Sequence, residues 1–251
     1  MRVGNFSPEC LASFCYNENS MNLHVTLRLA ATLAFLVAAP CWSAIVITDP
    51  GQGRVSIAGA GASELGGLAH VVGDQFYAVS DDSGSLYDLT IAINSTTGFI
   101  SSASINSAQS LAGSSDQEGV AYNAANGRVL VSDEGNINNS IATSIREHRI
   151  DNGVVTNTVA VPAVYGDSRH NLGLESLSLS PGSAALWTAN EEALYGDGPV
   201  SSPSVGTVVR LQKFDATYSP VGQWAYQVDP HQGNSPYTTG ERSGVADLVA
   251  L

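Results

Sequence analysis

Acidic side chains recur at both ends of short apolar hairpins in this sequence. Asp116 and Glu118 precede the segment "VAYNAANGRVLV", and Asp133 and Glu134 follow it almost directly. Because the pattern recurs along the chain, the candidate metal ligands are Asp82, Glu118, Asp133, Glu134, Glu175 and Glu191. Carboxylates at matching positions of a repeat indicate cation binding or acid–base chemistry.

Carboxylates that lie close together need a counter-charge. Two unit charges about 4 Å apart repel by about 1 kcal/mol in water and by about 4 kcal/mol at an effective dielectric of about 20. The acids can spread into solvent, take up protons or bind cations. Among cations, calcium is suitable because it takes about six to eight oxygen ligands with tolerant geometry. No cysteine or spaced histidine pattern from residue 45 onward suggests zinc. The predicted cofactor is therefore calcium, and the alternative is a solvated acidic rim without metal.

A sequence repeat predicts how these acids are positioned. Three stretches that begin near Glu64, Asp116 and Gly173 each hold two short apolar strands, and successive copies are 52 and 57 residues apart. Two further strand-like runs separate the copies. The turns within the copies are Gly73-Asp74, Asn126-Gly127 and Pro181-Gly182, pairs that favour chain reversal. Four short strands per repeat predict an all-β fold, a β-propeller, with a β-sandwich or a β-solenoid as alternatives.

The propeller prediction explains why acid stands at both ends of a hairpin. The first strand of a blade lines the central channel and the second returns beside it, so the start of one and the end of the other share a rim. Glu118, Glu134, Glu175 and Glu191 are therefore expected to lie close together. In the first copy, Gly66 stands where Glu118 stands in the second.

Three blocks of sequence carry a family resemblance. The blocks "DQEGVAYN…VLVSDEGN", "NLGLESLSLSPGSAALWTANEEALYGDGP" and "GVADLVAL" resemble the phytase-like domain family, also described as having esterase-like activity of phytase. This is a secreted bacterial β-propeller family. The resemblance covers roughly residues 60–251, with the blocks in family order.

The resemblance implies a calcium-dependent phosphoric ester hydrolase that acts on a small phosphorylated molecule. It implies catalytic roles for Glu118, Glu175 and Glu191. The candidate substrate-binding residues are Asn171, at the start of the matching block, and Arg169 and His170, which lie just before it. Members of the family often carry arginine after the asparagine, whereas Leu172 stands there in this chain.

A second class of function is a calcium-stabilised propeller that binds other molecules without catalysis, because a fold does not fix a function.

The serine-nucleophile motif G-x-S-x-G of α/β-hydrolases does not occur in the sequence. The segment "GDSRH" at Gly166 is interpreted as a polar loop between strands.

The beginning of the chain is typical of an exported protein. Residues 1–20 carry no interpretable pattern and are expected to be an unstructured, over-extended start. Residues 21–44 combine one arginine, an apolar run and small residues, which is typical of a signal peptide. The expected location is the periplasm or the medium, with no membrane association after removal of this leader. The formal charge of −13 argues against a nucleic-acid partner.

The remaining segment, 45–251, is expected to be a C-terminally truncated propeller domain. It holds about three four-stranded blades and, in "GVADLVAL", the first strand of a fourth. The run from Ile47 is expected to supply an outer strand to the last blade. Open sheet edges in an incomplete propeller predict possible self-association.

Overall fold

The computed structural model describes residues 11–14, 52–59, 62, 64–113, 116–231 and 242–251. Within these ranges the chain forms fifteen strands, four short 3₁₀ turns and no α-helix. The 3₁₀ turns are Ile137–Asn139, Ala163–Asp167, Pro181–Ser183 and Tyr195–Asp197. The predicted all-β class is therefore confirmed. Among the described residues, no helix has the length and hydrophobicity needed to cross a bilayer.

The first blade is an antiparallel meander of four strands. These are β3 (Leu65–Val72), β4 (Gln75–Ser80), β5 (Ser85–Ile93) and β6 (Ile100–Ser110). A short strand, β2 (Ile57–Ala58), joins the outer edge of this blade by pairing parallel to β6. The expectation that the run from Ile47 serves the last blade is wrong for these two residues, because they add to the first blade.

The second and third blades repeat the four-stranded meander. The second contains β7 (Gln117–Asn123), β8 (Arg128–Asp133), β9 (Ser144–Arg149) and β10 (Val155–Val159). The third contains β11 (Leu174–Leu179), β12 (Ala185–Asn190), β13 (Val208–Asp215) and β14 (Pro220–Gln227). β15 (Asp247–Ala250) follows, at the position of the first strand of a fourth blade.

The first strands of the blades lie side by side. β7 packs between β3 and β11, and β15 lies against β11. This is the radial order of a propeller, although the sheets of the described residues do not close into a ring. β1 (Leu11–Phe14) pairs antiparallel with β15. It lies inside residues 1–20, where the sequence predicted no structure, and the predicted signal peptide over 21–44 lies outside the described residues.

The second strand of each blade buries both faces, which explains its nearly continuous apolar sequence. On β8, Val129 and Val131 pack into the cluster shared with the first blade, whereas Leu130 packs into the cluster shared with the third. Consecutive residues of a strand point to opposite faces, so one apolar run serves two interfaces. Hydrophobic packing between neighbouring blades therefore sets the position of each hairpin.

Glycine allows the first strands to approach closely. A Cβ atom on Gly119 would lie 2.6 Å from the backbone nitrogen of Leu177 in the third blade. A Cβ atom on Gly67 would lie 2.6 Å from the backbone nitrogen of Val120 in the second blade. The strand starts are thus closest where the acidic residues occur.

Candidate functional site

A repeated hydrogen bond closes each hairpin and defines equivalent positions at the rim. The N–H groups of Asp81, Glu134 and Glu191 donate to the carbonyls of Glu64, Asp116 and Gly173, at 3.1, 2.9 and 2.9 Å. We call the three donors the hairpin-closing residues. Each lies directly after the second strand of its blade.

The opening end of each hairpin contains a local irregularity. The pairing register shifts between Leu65 and Leu68 in β3, between Gln117 and Val120 in β7, and between Leu174 and Ser176 in β11. Such bulges redirect side chains and often lie beside functional sites. Glu118 and Glu175 lie within two of these irregular segments, so their carboxylates project at the rim.

Three predicted residues meet in one group that we call the inner triad, Glu118, Glu134 and Glu175. Ligand oxygens of these three side chains all lie within 4.8 Å of one another. Glu118 and Glu134 come from the two ends of the hairpin in the second blade, and Glu175 comes from the third blade. The structure therefore brings carboxylates from two blades to one place on the rim.

A second group, the outer triad, consists of Asp81, Asp116 and Glu118, again with oxygens within 4.8 Å of one another. It links the first blade to the second and shares Glu118 with the inner triad. Asp82, which the sequence predicted as a ligand, is exposed and groups only with Glu64 and Asp81 among the described residues. Asp81 and Asp116 are thus site residues that the predicted ligand set missed.

The hairpin-closing bonds explain this difference. Alignment by consecutive acids pairs Asp82 with Glu134, whereas alignment by the closing bond pairs Asp81 with Glu134 and Glu191. The equivalent acid is therefore the residue directly after the second strand of each blade, which the number of consecutive acids does not identify.

Asp133 belongs to neither triad, although its charge helps to raise the pKa values of Asp116 and Glu134. Its side chain is buried and accepts a hydrogen bond from the Gly135 N–H at 2.9 Å. Its Oδ2 atom lies 3.5 Å from the Arg146 guanidinium. Asp133 was predicted as a metal ligand, and the structure gives it a cationic side chain and a backbone donor as partners.

Glu191 contributes to the field of the cluster without belonging to either triad. Its charge is among the causes that raise the pKa values of Glu118 and Glu175. Its carbonyl accepts the Val245 N–H at 3.0 Å, which ties it to the start of the fourth blade. Glu191 therefore lies beside the inner triad, on the side of β15.

Burial opposes ionisation of the clustered acids. Burial is the largest cause that raises the pKa of Glu118 to about 9, followed by the charge of Glu134. Burial and then the charge of Glu118 raise the pKa of Glu175 to about 11. For Asp116, burial and a hydrogen bond with Asp81 raise the pKa to about 8. Without a cation, part of the cluster is therefore protonated at neutral pH.

Glu134 has one buried carboxylate oxygen whose hydrogen bonding depends on the protonation of its neighbours. The residue is 7% exposed, and its Oε1 atom accepts the Gly173 N–H at 2.6 Å. Its Oε2 atom is buried and receives no N–H or hydroxyl donor from the described residues. Glu175 can supply a hydrogen bond only when its own carboxyl is protonated. A buried carboxylate oxygen without a donor is costly, so a proton or a cation is needed there.

The predicted substrate-binding residues lie on a tight turn before β11. The Arg169 guanidinium donates to the carbonyls of Ala193 at 2.9 Å and Gly198 at 2.7 Å, and it lies 4.3 Å from the centroid of the Tyr195 ring. His170 and Asn171 are exposed at the tip of the turn, where Asn171 has a φ of 57°. Arg169 thus already has backbone and aromatic partners.

Leu172 is buried and pairs with Arg169 across this turn. The arginine that the family often carries is therefore replaced by a residue that packs inward. The neighbouring Gly173 donates to Glu134, so the turn is anchored directly to the inner triad.

Comparison with known proteins gives one family match. The family "Phytase-like: Esterase-like activity of phytase" matches residues 61–251. No curated protein matches the chain.

Solved structures similar to the chain include several propellers. "Structure of Dos1 propeller" matches with 12% identity and a TM-score of 0.38, over 66% of this chain and 39% of that one. "Crystal structure of WD40 beta propeller domain of Doa1" matches with 10% identity and a TM-score of 0.33, over 69% and 56%. The chain thus spans 39% and 56% of the lengths of these two structures.

Proposed function

Because the chain belongs to the phytase-like family, we propose that it is a phosphoric ester hydrolase whose carboxylate cluster binds calcium. The proposed substrate is a small phosphorylated molecule. The observation that carries the proposal is the meeting of Glu118, Glu134 and Glu175 from two blades, with carboxylate oxygens within 4.8 Å of one another and the Oε2 atom of Glu134 buried.

The atoms that the cluster offers as metal ligands suit a hard divalent cation. Both triads offer carboxylate oxygens only, and oxygen ligands are those that calcium takes. Glu118, Glu134 and Glu175 would hold the ion. When bound, calcium would neutralise charge on a phosphate and lower the pKa of a bound water.

The carboxyl groups of the cluster are also proposed to take part in proton transfer. In the cation-free cluster the pKa of Glu118 is raised to about 9, mainly by burial, so calcium binding would release a proton from this carboxyl and leave it as an ionised ligand. Glu191, outside the triads, is proposed to accept a proton from the attacking water. Glu175 is proposed to act together with Glu118 and Glu134, since one carboxylate oxygen of each lies within 4.8 Å of the others.

One observation favours the non-catalytic scaffold as a second candidate. Two nitrogens of Arg169 are engaged by carbonyls, and its guanidinium stacks on Tyr195. A phosphate would then depend on the bound cation and on His170 or Asn171 for its contacts. Such a site can bind calcium for stability alone.

A phosphatase assay on the purified protein separates the two candidates. The substrates are p-nitrophenyl phosphate and phytate, with calcium and with a chelator. Phosphate release that the chelator abolishes, and that Glu118→Gln loses, supports the hydrolase. Stabilisation by calcium without any turnover supports the scaffold. The variant Asp74→Asn is the control, since this exposed acid lies in the β3–β4 turn at the opposite end of its hairpin.

We also propose that the protein is exported on the leader over residues 21–44. Mass spectrometry of the exported product is expected to give a mature chain that starts near residue 45. A product that retains residues 21–44 contradicts this proposal.

A further inference from the structure

One face of the second blade carries a row of polar side chains near the rim. Gln117 pairs with Asp133 across β7 and β8, and Asp133 pairs with Ser144 across β8 and β9. Directly opposed residues of neighbouring strands project to the same face of a sheet. Asp133 is two and four residues from Val131 and Val129, which pack against the first blade, so the row also faces the first blade.

This row contains buried polar atoms that have no hydrogen-bond partner among the described residues. Gln117 is fully buried, and neither the oxygen nor the nitrogen of its side-chain amide has a partner there. The Oγ atom of Ser144 is also buried without one. A buried amide offers both donors and an acceptor, and leaving them unpaired is costly. The row therefore requires a molecule that can donate and accept hydrogen bonds.

The charged groups beside the row are already engaged with each other and with the backbone. The Oδ1 atom of Asp133 accepts the Gly135 N–H at 2.9 Å, and its Oδ2 atom lies 3.5 Å from the Arg146 guanidinium. Arg146 also donates to the Gly113 carbonyl. Because the carboxylate and the guanidinium offset each other, the unpartnered atoms of the row are those of a neutral amide and a neutral hydroxyl. Such atoms suit a neutral ligand, and water is the smallest that both donates and accepts.

A further unpartnered atom lies on the same face of the blade. His148 pairs with Val129, is fully buried, and has its Nδ1 atom 3.1 Å from the Gly153 carbonyl. A carbonyl only accepts, so Nδ1 carries the proton, and Nε2 is an acceptor without a partner among the described residues. The opposite face, towards the third blade, buries the apolar side chains of Leu130 and Ile145. The unpartnered polar atoms of β7 and β9 thus lie at the junction with the first blade.

We propose that ordered water molecules bind between the first and second blades, in a pocket formed by Gln117, Asp133 and Ser144. Water completes the hydrogen bonds of the Gln117 amide and the Ser144 hydroxyl, at the point where the register shift that begins at Gln117 interrupts the ladder. Buried waters typically make about three hydrogen bonds to such groups. The pocket lies beside the rim, because Gln117 stands between Asp116 and Glu118 in the sequence. The inference goes beyond the proposed function, since these waters bind with or without turnover.

A high-resolution crystal structure of the full chain tests the proposal directly. We expect water density about 2.7–3.2 Å from the side-chain amide of Gln117 and from the Oγ atom of Ser144. A pocket without water density overturns the proposal. So does a Gln117 amide whose hydrogen bonds go only to protein atoms.

Two substitutions test the same pocket in solution. Gln117→Met keeps the approximate shape of the side chain without its polar atoms, and Ser144→Ala removes the hydroxyl. Each leaves the waters with fewer partners and is expected to lower the Tm by about 2 °C or more. The double variant should lower the Tm by less than the sum, because both changes act on the same waters. A Gln117→Met variant with a higher Tm, as expected for a dry pocket, or strictly additive effects overturn the proposal.

Ser101→Ala is the matched control for Ser144→Ala. Ser101 is exposed on β6, and its hydroxyl donates to the Ala92 carbonyl at 3.0 Å. Its effect on the Tm should add to that of Gln117→Met, because the two residues share no waters. If Gln117→Met does not fold, the crystal structure of the unmodified protein still decides the question.

Discussion

Glu134 shows how one residue links stability to cation binding. Replacement by glutamine removes a charge and places an amide donor among the other carboxylates, while the amide oxygen can still accept the Gly173 N–H. We expect Glu134→Gln to raise the Tm of the metal-free protein by a few degrees, about 2–4 °C for each kcal/mol. The same variant loses the Tm increase that calcium gives.

Thermal melts with calcium and with a chelator measure both effects. Glu134→Ala is the matched comparison, because it also loses the bond to Gly173 and is expected to destabilise the metal-free protein. A glutamine variant that still gains the full calcium stabilisation contradicts the assignment of Glu134 as a ligand.

Gly119 is a residue whose small size controls the distance between blades. A methyl group there would lie 2.6 Å from the Leu177 nitrogen and 2.7 Å from the Ser132 hydroxyl oxygen. We expect Gly119→Ala to cost about 1–3 kcal/mol in urea unfolding. Gly166→Ala is the control because a methyl group on Gly166 would have nothing within 4 Å, and the φ of this residue is not in the left-handed region. Equal stability of the two variants contradicts this account.

At the scale of strands and blades, both faces of β8 contribute to stability. Leu130 is fully buried between the second and third blades. We expect Leu130→Ala to reduce the free energy of unfolding by about 2–5 kcal/mol, because truncation leaves a cavity in a packed interface. Val154→Ala, at a side chain that is 49% exposed, should change it by less than about 0.5 kcal/mol. Urea unfolding measures both, and similar values would contradict the inter-blade packing.

The hairpins were predictable because turn residues and apolar alternation act locally. Asn126-Gly127 was predicted as a turn, and Gly127 has the left-handed φ of 65° that such a turn requires. The register shift between Gln117 and Val120 was not predictable, since a bulge depends on contacts with neighbouring strands. Asp116 was missed because its position depends on this shift, and Asp81 was missed because the copies were aligned by consecutive acids and not by the hairpin-closing bonds.

For the whole molecule, the acid cluster joins elements that are distant in sequence. Glu118 has neighbours from all three blades, with Asp81 in the first, Glu134 in the second and Glu175 in the third. At the opposite ends of the strands, the Asn123 amide donates to the Tyr218 hydroxyl at 2.8 Å, joining the second and third blades. At the rim, the blades are joined by clustered carboxyl groups with raised pKa values, so the stability of the whole chain should follow the charge state of the rim.

We therefore expect the metal-free protein to become less stable as the pH rises above neutral. The pKa values of Asp116, about 8, and Glu118, about 9, are above their ordinary values, mainly because of burial. The unfolded chain releases these protons first, so their stabilising effect is complete below about pH 4 and is lost as pH rises through about 9. Burial lowers the pKa of His148, so the contribution of this residue to stability is complete above about pH 6.5 and is lost as the pH falls below that value.

We therefore expect the Tm of the chelated protein to fall by about 5 °C or more between pH 6.5 and 9, where the carboxylates dominate. Saturating calcium should flatten this slope, because the bound ion stabilises the ionised carboxylates and replaces their protons. Melts at matched ionic strength, with magnesium-free sodium buffer as the control, separate this effect from general screening of the −13 charge. A chelated protein whose Tm is constant or rises over this range would show that the rim carboxylates are ionised in the folded state without a cation.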